Sequence, residues 1–463
     1  MPRLDRRGLI WLGGIAAAIV LVAGVCFAVF VDVNRYKPSI EAAISQSLGM
    51  EFEIRGNVAL RLLPRPALSA RDIHLTKGTS EILSAEEIQV SPRWIPLVLH
   101  RRISINRLLL RKPQVRLEQR IAVQLRPGRL NSLSVQDGQV SYLDPSSGRS
   151  LEVRGLEVRL SGISLGESDE LQPLARLKSF SLRGTLHATS VQVGTFRASD
   201  VKCGVKAEAG LLQLDPVEVT LFGAPSVGSL TLDVQGSAPR IQVGATSQVD
   251  LGQVFPGDVQ YFAGTVQASL QVVGTGADLP AVRSTARGVL SIRGEHLSIR
   301  GWDVDQLIED YNRSQKFSLI DIGAVLVAGP FGPLLIKGSD FSRLYAGMGH
   351  GESEIRKLAS DWEIVDGRAT AKDVAFSTLK NTVAFRGALN LGNDSLENFF
   401  VATVDPQGCA RVKQRITGSF AHPHAPGLSS KSIFGAIGSA VHGALNLGRS
   451  DRCDLFYSGT ALP

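Results

Sequence analysis

Apolar and polar positions alternate with a period of two along most of this chain. Phe52, Ile54, Val58, Leu60 and Leu62 alternate with Glu53, Arg55, Asn57, Ala59 and Arg61, with a turn at Gly56. Pro64-Arg65-Pro66 breaks the run, and 67–75 resumes it with Leu68, Ile73 and Leu75. Residues 88–91 follow as a strand, and an apolar turn, 94–99, precedes Ile103, Ile105, Leu108 and Leu110. The alternation returns at 138–143, 153–160, 180–187, 210–221, 228–234, 264–274, 288–293, 367–376 and 385–391, mostly with glycine at or near an end. This is the signature of half-buried strands between turns, so the fold class is mainly β. The unit recurs loosely, without the strict period of a named solenoid.

Three stretches depart from that period. Gly8 to Val31 holds 24 residues with no charged side chain; at ~1.5 Å per residue, a helix there spans the ~30 Å hydrocarbon core. Arg3, Arg6 and Arg7 precede it against the single acid Asp5, which keeps the N-terminus cytoplasmic and puts everything after Asp32 on the far side. The run is longer than a signal-peptide core and lacks a small-x-small site after it; Val25 ahead of Cys26 departs from a lipoprotein site. A retained anchor is therefore expected. Next, Pro38 suits a first helical turn, Ile40, Ile44 and Leu48 share a face, and Gly49 ends the helix. Helical spacing recurs at Asp303, where an Asp303/Gln306 pair precedes Val304, Leu307, Ile308 and Tyr311. It is also present in a short segment from Asp340 and in the amphipathic stretch 432–445.

Charge changes the picture in one window. Of a net +7, residues 100–130 carry nine Lys or Arg against Glu118 alone. No aromatic residues interleave there and the compartment is extracytoplasmic, so nucleic acid is excluded. An anionic lipid surface and a merely solvated strand face remain as readings. Of the four cysteines, Cys26 is in the apolar span, leaving Cys203, Cys409 and Cys453 outside, too few for a disulfide framework. A Cys409–Cys453 bridge is chemically allowed there, with free thiols as the alternative.

Catalytic chemistry finds little support. Gly162-Ile163-Ser164-Leu165-Gly166 matches G-x-S-x-G, but Ser164 continues an alternating strand and no helix follows. His422 and His424 flank Pro423 without further ligands at useful spacing, and 347–351 lacks the lysine of a phosphate loop. The expectation is a protein that is not an enzyme, with no metal and no cofactor.

The chain resembles the AsmA family of bacterial envelope proteins. The resemblance rests on the anchor, then Tyr36-Lys37-Pro38-Ser39-Ile40-Glu41, then Gly49 and the strand through Gly56. It continues with Leu63-Pro64-Arg65-Pro66, Asp72-Ile73-His74-Leu75, and Trp94 to Leu110 closing on Arg111-Lys112-Pro113. Residues 301–307 and 365–391 are similar to the family's C-terminal region. The resemblance implies an N-terminal transmembrane helix followed by an elongated, curled antiparallel sheet, a β-trough with a few capping helices. That body is anchored in the inner membrane and lies in the periplasm. It divides the chain into 1–7 (cytoplasmic), 8–31 (anchor), 32–120 (N-terminal module), 121–300 (central trough), 301–425 (C-terminal β region) and 426–463 (amphipathic end). With ~20–24 strands at ~4.8 Å the trough would run ~100–115 Å, shorter than the family's largest members should build.

The function this implies is binding or transfer of phospholipid, or another acyl-chain lipid, in outer-membrane biogenesis. The alternative is an interaction protein acting on outer-membrane assembly proteins. The expected lipid path is Val58, Leu60, Leu62, Ile103, Ile105, Leu230 and Leu232, and the expected headgroup contacts are Arg101, Arg102, Arg107, Arg111 and Lys112. Either a second sheet or bound acyl chains would cover the apolar side of such a sheet.

Overall fold

Pro38 sits in the first turn of helix α1 (Lys37–Leu48), and Gly49 ends it in the left-handed region at φ +66°, its N–H returning to Ser45 O at 2.9 Å. This is the helix that Ile40, Ile44 and Leu48 predict. The computed structural model describes residues 33–61, 67–78, 80–92, 105–117, 128–144, 148, 150–166, 177–194, 196–254, 262–301, 303–306, 308–309, 351–419, 423–424 and 453–462. The expected anchor, the segment from Asp340 and the stretch 432–445 lie outside these. Among the described residues no helix is long and apolar enough to cross a membrane.

Helix α1 seals a sheet edge. Strands β1 (Glu51–Ile54) and β2 (Val58–Arg61) both pair with β3 (Ala67–Lys77). The outward N–H groups of Phe52, Ile54 and Val58 donate to Ser45 Oγ (2.9 Å), Glu41 Oε1 (2.7 Å) and Asn34 Oδ1 (2.8 Å). Side chains thus satisfy donors that would otherwise template another strand.

The chain divides into two units, Met1–Leu214 and Asp215–Pro463. In the first, β3 pairs with β4 (Ser80–Pro92), and β4 pairs with β5 (Ile105–Arg111) and its continuation β6 (Gln114–Leu117). Both then run parallel to β7 (Gly128–Leu143). Antiparallel order resumes through β8 (Ser150–Leu165), β9 (Phe180–Val193) and β10 (Phe196–Glu208). The sheet is therefore mixed, a correction to the antiparallel expectation. Alternation reports which face a residue takes and is blind to strand direction.

The unit boundary falls inside β11 (Leu211–Leu221). In the second unit, β12 (Ala224–Asp233), β13 (Arg240–Asp250), β15 (Thr265–Thr275) and β16 (Arg287–Arg300) pair in antiparallel succession. Short β14 (Phe262–Ala263) also joins β16. The order continues through β17 (Glu352–Val365), β18 (Arg368–Ser377), β19 (Thr382–Asn390), β20 (Ser395–Val404), β21 (Ala410–Gly418) and β22 (Pro423–His424). Short helices punctuate it, among them α2 (Leu251–Val254) and α3 (Leu279–Ser284). The latter is capped by Asp278 Oδ1, which accepts from Ala281 N at 2.9 Å.

Around β17 to β20 both faces of the sheet are covered. On one, Trp362 stacks on Phe399 (centroids 6.3 Å apart), and Phe376, Phe385, Ile292, Ile355 and Val401 pack beside them. Leu251 and Val254 of α2 join from outside the strands, as do Val304 and Ile308. The N–H of Gln306 donates to Asp303 Oδ1 at 2.9 Å, the cap that the Asp303/Gln306 spacing predicts. On the opposite face a row of alanines, Ala359, Ala375, Ala384 and Ala402, is 2% exposed or less beneath Phe456, Tyr457 and Ala461.

That C-terminal strap is tied down three ways. Cys453 is disulfide-bonded to Cys409. Phe456 N and Tyr457 N both donate to Gly408 O. Asp373 accepts from Tyr457 Oη and from Thr460 Oγ1 (2.7 Å). Gly408, at φ +81°, has no room for a side chain, since a Cβ would stand 1.8 Å from Tyr457 O.

Candidate functional site

Cross-strand register in the N-terminal unit lines up apolar residues in unbroken rows. One row runs Leu60, Leu68, Val90, Leu108, Leu133, Leu160, Gly184 and Val205, from β2 to β10. A second runs Val58, Ala70, Ile88, Leu110, Val135, Val158, Leu186 and Cys203. A third runs Phe52, Leu75, Leu83, Val115, Val140, Val153, Val191 and Ala198. Eight strand positions at ~4.8 Å make this face about 34 Å wide.

Left-handed residues keep the rows in phase. Asp72, Asp137, Gly155 and Asp200 all adopt positive φ (53°, 53°, 61° and 49°), and across each the apolar positions change parity, so that the next one returns to the same face. In β7 the apolar positions shift from Leu133 and Val135 to Val140 and Tyr142 across Asp137. In β10 they shift from Ala198 to Val201 and Cys203 across Asp200.

The first row is half-buried at every position. In the second, Val58, Val135, Val158 and Cys203 are buried and the rest half-buried. Among the described residues, no member of these rows belongs to either packed hydrophobic cluster. The reverse face is polar: Arg154–Glu152, Arg159–Glu157, and Asp200 with Lys202 and His187 form ion pairs there. Lys202 and His187 both hydrogen-bond Asp200 and hold its carboxyl below the usual range. The sheet is thus strongly two-sided, one face a continuous hydrocarbon surface and the other charged.

Of the expected lipid path, Val58 and Leu60 stand in the second and first rows. Leu62 and Ile103 lie outside the described residues. Ile105 is 41% exposed at the start of β5. It pairs with Pro92 across a register shift from the Arg107–Ser91 pair, so the alternation at Arg107 does not carry through to it. Leu230 and Leu232 belong to the second unit, where Leu230 pairs with Val243 and Leu232 with Ile241, on the face that continues into the Trp362 core. Leu108, Leu110, Leu133, Val135, Val158 and Leu160 form the middle of the first two rows.

Arg101 and Arg102 lie outside the described residues. Arg107 and Arg111 project from the polar face of β5, away from the apolar rows. Arg111 Nη1 pairs with buried Glu87 Oε2 at 3.0 Å, and Lys112 Nζ with Glu86 Oε2 at 2.8 Å. The bond and charge of Lys112 lower the Glu86 pKa, and Glu86 raises that of Lys112. Ser164 sits within β8, paired with Arg129 and Ser181. Among the described residues no cluster of three or more His, Cys, Asp or Glu has the arrangement of a metal site.

Residues 4–121 match the model of the AsmA family, a stretch that ends just beyond β6, where the parallel step begins. No curated protein and no solved structure matches the chain.

Proposed function

We propose, from the premise that the N-terminal part of this chain belongs to the AsmA family, that the protein binds phospholipid acyl chains along the apolar face of its N-terminal unit, as an inner-membrane-anchored periplasmic component of envelope biogenesis. The observation that carries the reading is the row from Leu60 to Val205, half-exposed at every strand it crosses. A surface of Leu and Val without polar groups suits hydrocarbon and selects no headgroup. Each acyl CH₂ laid on it contributes about 0.8 kcal/mol. Movement from one row to the next leaves that contact unchanged, which favours sliding along the face. The Cys409–Cys453 bridge supports an oxidising compartment, and the charge asymmetry around Gly8 to Val31 supports the orientation.

A photoreactive benzoylphenylalanine placed in the full-length protein in cells tests this. At Leu133 or Leu160 it is expected to yield phospholipid adducts by mass spectrometry; at Ser134 or Arg159, on the reverse face of the same strands, it yields none. Equal adducts on both faces, or none on either, would refute the proposal. Protein adducts at the apolar positions would transfer support to the interaction reading.

A further inference from the structure

A cavity of about 170 Å³ in the C-terminal unit is lined by four cations and no acid: Arg356, Lys357, Lys380 and Arg411. Its floor includes Ser377 and Thr382, paired across β18 and β19 and each 5% exposed. These lie on the strap-covered face, one step along the strands from the alanine row, and Lys357 Nζ donates to the strap's Leu462 O at 3.2 Å. None of Arg356, Lys380 and Arg411 takes part in the ion pairs of the described residues, whereas seven other Lys and Arg of this unit do, from Arg283–Asp394 to Lys413–Asp454.

The rim is rigid. The β18–β19 turn closes through Thr378 N to Asn381 O (2.8 Å), and Asp305 Oδ1 accepts from Thr378 Oγ1 and from Asn381 Nδ2 (2.7 Å). At its tip Leu379 is 68% exposed, the most exposed large apolar side chain described. Four lining cations with only the Asp305 carboxylate bonded to the rim carry mutual repulsion that an anion relieves. Two guanidinium groups add bidentate donors suited to phosphate oxygens. The volume falls below the ~300 Å³ at which drug-sized ligand sites begin, so it takes a headgroup and not a whole lipid.

We propose that this cavity is a binding site for a phosphate ester group, held by Arg356, Lys357, Lys380 and Arg411 over the Ser377 and Thr382 hydroxyls. Exposed Leu379 beside it favours a lipid headgroup as the source, with the leucine against the attached acyl chains. The site lies wholly within the C-terminal unit and does not depend on the apolar rows of the N-terminal one, so either proposal can fail alone.

The test is calorimetric titration of the full-length protein in neutral detergent and phosphate-free buffer. The probes are inorganic phosphate, and dihexanoyl phosphatidylglycerol below its micellar concentration. Saturable one-to-one binding of the lipid is expected, weakened at least tenfold by Arg356→Gln/Arg411→Gln and retained in Arg356→Lys/Arg411→Lys. Lys380→Gln, on an exposed turn that tolerates it, is expected to weaken binding about threefold, a readout that stands even if the double variant fails to fold. Leu379→Ser is expected to weaken the lipid severalfold and leave inorganic phosphate unchanged. If phosphate binds as tightly as the lipid and Leu379→Ser affects neither, the site serves a free phosphate ester. Absence of saturable binding, or affinities unmoved by the Gln substitutions, would overturn the proposal.

Discussion

In the C-terminal unit the apolar sheet face carries Trp362, Phe376, Phe385 and Phe399, each 5% exposed or less, whereas the row from Leu60 to Val205 in the N-terminal unit carries mostly Leu and Val, half-buried at every position. Both units are built by the same alternation and both accommodate bulges. They differ in what fills the space above the strands. Rings of large volume, together with Leu251, Val254, Val304 and Ile308 from outside the strands, complete a core in the second unit. The eight-strand rows of the first unit contain one aromatic, Phe52. Alternation therefore specifies that a face is apolar; side-chain volume and non-strand segments decide whether the protein covers it itself.

Paired truncations are the sharpest way to break that comparison. Phe376→Ala removes a wholly buried ring and is expected to cost about 3–5 kcal/mol. Leu133→Ala, on the half-exposed row, is expected to cost about 1 kcal/mol, since its side chain loses only part of its contact with water on folding. Peptide-resolved hydrogen exchange reads each unit separately. A Leu133→Ala penalty matching that of Phe376→Ala would mean that the N-terminal face is a filled core, and the lipid proposal would go with it.

The strap offers a somewhat smaller effect. With a separation of 44 residues, removing the bridge by Cys409→Ser/Cys453→Ser is expected to cost up to about 4 kcal/mol on the chain-entropy account. Exchange should rise in β17 to β20 around the alanine row and stay unchanged in β7 to β10. A rise in both units alike would show that the strap's influence is not confined to the face it covers. Its alanines make sense only with the strap in place. Small residues let the Phe456 and Tyr457 segment approach closely, and burial, then the bond to Asp373, push the Tyr457 phenol well above its usual range.

Much of this was written locally in the chain. Pro38 and Gly49 bracket α1, Asp303 caps Gln306, and the face of most strands follows from alternation. Features that depend on partners distant in sequence were not. The parallel step between β5/β6 and β7 leaves no mark on residue period. The strap pairs Tyr457 with Asp373, 84 positions earlier, and no local pattern announces that. Of the lipid path, Val58 and Leu60 were legible from alternation, whereas the middle of the rows, from Leu108 to Leu160, emerges only from strand pairing. The phosphate cavity draws on β17, the β18–β19 turn and β21, whose cations look like ordinary surface charge until register brings them together.

The smallest expected effect lies in pH, and it distinguishes the polar face of the N-terminal unit from its apolar one. His74 bridges two acids, Nδ1 to Glu81 and Nε2 to Asp72 at 3.0 Å. Its bond to Glu81 raises its pKa above 6.5, against the opposing effect of burial and with further help from Asp72. A group whose folded pKa is raised binds its proton more tightly in the native state, so the stabilisation is complete below pH 6.5 and is lost as pH rises through the folded value. Denaturation of the full-length protein should therefore show stability declining across that window, and His74→Gln should flatten the decline without altering phospholipid adducts at Leu133. Were the adducts to change with it, the two faces of this sheet would be coupled, and the apolar rows could not be treated as a surface that acts independently of the charges behind it.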